Sequence, residues 1–194
     1  MKITKELKFA IILTIILNIA FVCSGIAVAI LGWTSPQLAV FITLFMFVYH
    51  TDVRIFIGLS FSKLLKHKIH VESKAFVVKK NEYNFLCRLG VKKWKDRFLA
   101  WDKSLFVLQK MDNARMTVVL QNNINAELTH WACAFVGLFA IPFGLLLSAD
   151  EWAIYVITSV LASLFADLPP ICIQRFNRYR LQQILKSQHK LNND

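Results

Sequence analysis

Charge is scarce in this sequence: 18% of its residues are charged against 56% that are hydrophobic, and only 12 are acidic. A small fold leaves much of its surface exposed, so a soluble domain of 194 residues could not hide that much apolar side chain. A bilayer can. Several site signatures are missing as well. There is no CxxC or other zinc spacing, and no His-Glu-x-x-His, G-x-S-x-G elbow or glycine-rich phosphate loop. The lone Glu-x-x-His at Glu127 and His130 is half of a di-iron bundle motif without its second copy. No metal and no cofactor is therefore expected. The soluble-type acyltransferase spacing of His, four residues, Asp is absent too; His67 with Glu72 imitates it in a Lys-rich stretch that reads as solvated. No internal repeat and no low-complexity tract is visible.

Long uncharged runs fill the space that charge vacates. Residues 10–31 hold one strongly polar side chain, Asn18. Residues 128–149 carry no formal charge, and residues 152–173 are interrupted only by Asp167. A fourth run, 36–49, is shorter and leads into His50, Asp52 and Arg54. It spans if its polar end reaches the headgroups or if residues 55–61 lie along the surface. A spanning helix needs about 20 apolar residues, so the predicted spans are 10–31, 36–54, 128–149 and 152–173 in a single membrane domain covering 1–194.

The basic residues decide the orientation. Lys2, Lys5 and Lys8 precede the first run, 14 Lys and Arg lie between Lys63 and Arg115, and five follow from Arg175 to Lys190. With Arg54 these are all 23 basic residues. The two short connections, 32–35 and 148–151, hold no base. Four spans place every basic residue on one side, as the positive-inside rule requires; three would strand some outside. The expected fold is an all-α integral protein of the cell membrane, with four transmembrane helices in two hairpins and both termini cytoplasmic. The net charge of +11 then needs no nucleic acid to explain it. A cleaved signal peptide is the other reading of the N-terminus, since Ala27-Val28-Ala29 has the small-x-small form. The apolar run, however, is longer than the usual signal core and continues past that site. Cys23, Cys87, Cys133 and Cys172 all fall in spans or in the cytoplasmic loop, which excludes a disulfide framework.

The loop at 62–121 contains a segment, 89–99, in which Lys93, Trp94 and Lys95 mix aromatic and basic character. With Trp101 it suits an interfacial helix on anionic lipid, or a segment that helps hold an anionic donor. Pro142 with Gly137 and Gly144 is placed to kink span three, and Pro169-Pro170 to bend or end regular helix in span four.

Ionisable residues at membrane depth are costly and so are functional candidates. Glu127 and His130 stand three apart, on one helix face. A carboxylate beside an imidazole can fix its tautomer and raise its basicity, which suits removal of a proton from a hydroxyl; a helix end meeting headgroup water would look the same. With four spans, the start of span three and the end of span four share a membrane face. That groups Glu127 and His130 with Asp167, Gln174, Arg175, Asn177 and Arg178. Guanidinium and amide groups there can bind phosphate, carboxylate or sugar hydroxyls, or serve as anchors. Arg175 or Arg178 could also neutralise Glu127 or Asp167.

Ala126-Glu127-Leu128-Thr129-His130-Trp131 and Leu168-Pro169-Pro170-Ile171-Cys172-Ile173-Gln174-Arg175-Phe176-Asn177-Arg178-Tyr179-Arg180-Leu181 resemble segments of the glycosyl-diaponeurosporenoate acyltransferase family of staphyloxanthin-type carotenoid synthesis, as does Val91-Lys92-Lys93-Trp94-Lys95-Asp96. Order and rough spacing agree from about residue 90 to the C-terminus. Phe176 stands where the family often has Tyr, Tyr179 where Pro is frequent, and Asp167 where Asn is common. The resemblance implies transfer of a fatty acyl group onto a hydroxyl of a lipid or glycosylated terpenoid acceptor. His130 would be the base and Glu127 its partner, with Gln174, Arg175, Asn177, Arg178 and Asp167 around the substrate. The partners it implies are membrane lipids and an acyl donor, whether acyl-CoA, acyl carrier protein or phospholipid. A non-enzymatic membrane protein, a lipid carrier or complex subunit, would keep the same ionic cluster for structure.

Overall fold

The computed structural model describes residues 5–32, 34–64, 70–71, 73–95, 113–144 and 149–191. His67, Glu72 and Trp101, and residues 96–99 of the basic segment, lie outside these. Every regular element among the described residues is helical: α1 (Lys5–Leu31), α2 (Ser35–Leu64), α3 (Lys80–Arg88), α4 (Val91–Trp94), α5 (Asn113–Leu138), α6 (Ala140–Gly144), α7 (Ala149–Ala162) and α8 (Leu168–Leu191). A 3-10 turn at Lys74–Phe76 precedes α3, and a π turn at Ser163–Asp167 joins α7 to α8. Four stretches are long and apolar enough to cross a membrane: Ile11–Leu31, Pro36–Phe61, Ala114–Pro142 and Trp152–Ser187. The short second run thus sits in a helix whose apolar window extends to Phe61, and the third helix starts at Asn113, well ahead of the uncharged stretch.

The contacts divide into two units. The first comprises Met1–Ile57 and Trp131–Leu168, the second Gly58–His130 and Pro169–Asp194. Within the first unit, α1 is almost wholly exposed: 6% of its apolar window is buried. Side chains such as Ile12, Ile16, Ile19 and Ile30 face outward, as apolar side chains favour in hydrocarbon surroundings. The α1 face that does pack runs antiparallel to α2. The Asn18 side chain donates to Asp52 (3.3 Å), and the Phe21 ring lies over Phe41 (5.0 Å) and Phe45 (5.8 Å). Behind them Ile42, Met46, Ala140 and Tyr155 make an apolar cluster.

Two local features follow from proline. Helix α5 ends at Leu138 and α6 restarts at Ala140, because Pro142 has no N–H to offer to a carbonyl one turn back. The Phe139 N–H is shared between the carbonyls of Phe135 (3.2 Å) and Val136 (3.1 Å). At Pro169-Pro170 the chain passes through the π turn, where the Leu168 N–H reaches back to Ser163, and both prolines then sit in the first turn of α8. Neither proline has an N–H to give to the turn before it, so regular helical bonding is interrupted there.

In the second unit α5 and α8 pack antiparallel. The buried stripe Met116, Val119, Leu120 recurs at helical spacing and meets Leu181, with Ile184 and Leu185 beside it. That stripe explains why α5 begins at Asn113 although residues 113–127 are not uniformly apolar. Helix α3 lays Leu86 on Ile173 and Phe176, and Val91 of α4 completes this cluster with Trp94 against it. Gly90 joins α3 to α4 at φ +70°, a left-handed conformation that costs a residue with a side chain about 1 kcal/mol or more. The Gln182 side chain fastens the segment ahead of α3, accepting from Val78 N–H (3.3 Å) and donating to the Phe76 carbonyl (3.2 Å).

Candidate functional site

The densest polar cluster lies in the second unit, on α3, α5 and α8. Residues at 174, 175, 177 and 178 of α8 and at 123 and 127 of α5 fall on the faces the two helices present to each other. Arg175 forks onto Glu82: its Nε donates to Oε1, and its Nη2 to Oε2 at 3.1 Å. Its Nη1 donates to Glu127 Oε1 at 2.9 Å. The other oxygen of Glu127 takes Arg178 Nη1 at 2.5 Å as an ion pair. Two carboxylates thus face two guanidiniums, and the group is neutral as a whole. Arg178 is 1% exposed and Glu127 5%, so each needs the other: a buried charge without its partner costs several kcal/mol.

Neutral polar groups continue the cluster. Asn123 donates to Gln174 Oε1 at 2.6 Å, both side chains buried. Two buried donor groups, Asn177 Nδ2 and Arg178 Nε, have no hydrogen-bond partner among the described residues, and Oδ1 of Asn123 and of Asn125 are unbonded acceptors beside them. Buried polar atoms are nearly always satisfied, so the cluster has hydrogen-bonding capacity that the described residues do not fill. His130 stands three residues after Glu127 on α5 and is half-buried.

Aromatic rings wall one side. Tyr83 stacks on Phe176 (5.1 Å) and on Tyr179 (4.3 Å), and the Arg180 guanidinium lies 6.0 Å from the Phe176 centroid. Phe176 and Tyr179 therefore both pack on Tyr83. Burial, with a hydrogen bond to Cys87 adding to it, raises the Tyr83 phenol above its ordinary value of 10.0.

The sequence-derived residues thus divide. The structure brings Glu127, Gln174, Arg175, Asn177 and Arg178 together, with His130 on the same helix as Glu127. Trp94 is half-buried, its indole N–H donating to the Leu89 carbonyl at 3.2 Å, and Lys93 is exposed beside it while Lys95 is half-buried. Asp167 belongs to the first unit, 0% exposed, where Arg54 Nη2 holds its Oδ2 at 2.5 Å. Of the two proposed neutralisations, the arginines of α8 take Glu127, and Asp167 is taken by Arg54. Sequence reasoning missed Glu82 and Asn123 in the cluster, and missed Arg54 as a partner. Glu82 is one of few acids in a basic loop, a sign that it answers a particular cation. Arg54 lies at the end of an apolar run and was readable as a depth charge rather than a headgroup anchor.

No curated protein and no solved structure matches the chain. The family of CrtO, glycosyl-4,4'-diaponeurosporenoate acyltransferase, matches residues 66–187. That stretch is more than half of the chain and holds every member of the cluster on α3, α5 and α8, so the chain belongs to this family of carotenoid-biosynthesis acyltransferases.

Proposed function

We propose that this chain moves a fatty acyl group from an activated donor onto a hydroxyl of a lipid or glycosylated terpenoid acceptor, within the cell membrane and with both termini cytoplasmic. His130 takes the proton of the acceptor hydroxyl, with Glu127 one turn back on the same face to orient it. The freed oxygen attacks the acyl carbonyl carbon, the bond from that carbon to the donor's leaving group breaks, and the leaving group recovers the proton from His130. Glu127 also holds Arg175 and Arg178 in place. Asn177 and Arg178 supply donors for the oxyanion, or for the phosphate or sugar oxygens of a substrate, with Gln174 beside them. Lys93, Trp94 and Lys95 meet the anionic surface on which the donor arrives. Asp167 is committed to Arg54 within the first unit.

The observation that carries this reading is the pair of deeply buried, unbonded donors Asn177 Nδ2 and Arg178 Nε beside the ion-paired Glu127. The alternative, a non-enzymatic lipid carrier or subunit, predicts that His130 is dispensable. His130→Ala, in a chain that still expresses and inserts, is expected to abolish one class of acylated lipid in total extracts measured by mass spectrometry. An unchanged set of acylated lipids overturns the catalytic reading. Comparing a deletion strain with its parent then identifies the acceptor without presuming it.

A further inference from the structure

A second group of buried polar side chains lies in the first unit, apart from the matched cluster, and includes residues ahead of the family match. His50 on α2 is 5% exposed, and neither of its ring nitrogens has a hydrogen-bond partner among the described residues. Its ring lies against Gly137 of α5: a Cβ there would stand 3.0 Å from His50 Cε1, 3.1 Å from Nδ1 and 3.9 Å from Ser163 Oγ. A side chain at 137 would press on the imidazole, so glycine leaves room for His50 here. Ser159, one helical turn before Ser163, is 0% exposed.

The two serines behave unlike other hydroxyls in the same spans. Thr43, Thr51, Thr129 and Thr158 each donate to the carbonyl four residues back, at 2.6–2.9 Å. That local bond is the default for a hydroxyl on a helix in an apolar setting. Ser159 and Ser163 have buried hydroxyls with no partner among the described residues. His50 and Ser163 thus meet beside Gly137, with Ser159 one turn before Ser163 on the same helical stretch, and none of the three side chains has its polar atoms bonded among the described residues.

We propose that His50, Ser159 and Ser163 form a binding site for an uncharged hydroxyl carried on a lipid-like chain. The charge balance selects the ligand. Arg54, one turn after His50, already has Asp167 as its counter-ion, so the site offers no net positive charge to a carboxylate or phosphate. An imidazole with one N–H and one lone pair, beside hydroxyls that donate and accept, complements a group that also does both. Val40 and Phe47 on α2 and Val160 and Leu161 on α7 are exposed apolar side chains of the same unit, a surface suited to a lipid-like chain. The proposal concerns binding alone and holds whether or not the chain transfers an acyl group.

The test uses the full chain in lipid nanodiscs and three photoreactive probes of equal chain length: a long-chain alcohol, the matching alkane and the matching carboxylate. Labelled peptides are mapped by mass spectrometry. The alcohol is expected to label residues around 50, 137 and 159–163 about fivefold to tenfold more than either other probe, the increment of one or two hydrogen bonds. Excess unlabelled alcohol should compete. Ser159→Ala with Ser163→Ala should remove most of that preference, His50→Gln should keep part of it, and His50→Leu should lose it. If His50→Leu does not fold, the paired serine variant decides the matter. Equal labelling by alcohol and alkane, as a site holding only water would give, overturns the proposal, as does a preference that survives loss of both serines. Stronger labelling by the carboxylate overturns the choice of an uncharged ligand.

Discussion

Replacing Glu127 with Gln should be far more damaging than replacing Glu82 with Gln, although both carboxylates contact Arg175. The asymmetry comes from what each change leaves behind. Without Glu82, Arg175 keeps its bond to Glu127, and its side chain is 30% exposed, so water or headgroups can solvate it. An ion pair with that exposure is worth about 1 kcal/mol or less. Without Glu127, Arg178 loses its counter-ion, and its side chain is 1% exposed. Leaving a buried charge uncompensated costs about 3–5 kcal/mol. The expected difference between the two variants is thus about 2–4 kcal/mol, readable from unfolding by denaturant in detergent micelles. A second change tests the cause: Arg178→Met on top of Glu127→Gln should recover part of the loss, because it removes the stranded charge. Equal destabilisation by Glu127→Gln and Glu82→Gln, or a double variant worse than the sum of its parts, would refute the reasoning.

In the first unit, Arg54→Met strands Asp167, which is 0% exposed, and should cost about 3–5 kcal/mol; Asp167→Asn leaves Arg54 an amide acceptor and 19% exposure, so the same unfolding assay should show a clearly smaller loss. Gly90→Ala must adopt φ +70° and should cost about 1 kcal/mol, whereas Gly90→Asn, better tolerated in the left-handed region, should cost less. Because burial raises Tyr83 above 10.0, the unfolded chain gives up this proton at lower pH than the folded one. The contribution is intact below about pH 10 and is lost as pH rises through the folded value. Tyr83→Phe should therefore flatten the alkaline fall in stability relative to the parent, and an unchanged slope would show that the ring is free to ionise in the fold.

What the sequence disclosed follows the range over which each interaction acts. Long uncharged runs are local, so the four apolar helices were legible, as was the meeting of Glu127 with the α8 arginines once the spans were counted. Glu82 was not legible as a site residue, because its partner Arg175 lies 93 residues away and the loop between offers no pattern. The Arg54–Asp167 pair, 113 residues apart, was hidden for the same reason. It was obscured further because Arg54 also satisfied the positive-inside count as an anchor. The start of α5 was missed for another reason. Residues 113–127 are too polar to read as a span, and their Met116, Val119, Leu120, Ile124 stripe belongs to a helix buried against protein rather than lipid. The π turn at Ser163–Asp167 was legible only as a bend, from Pro169-Pro170 just after it.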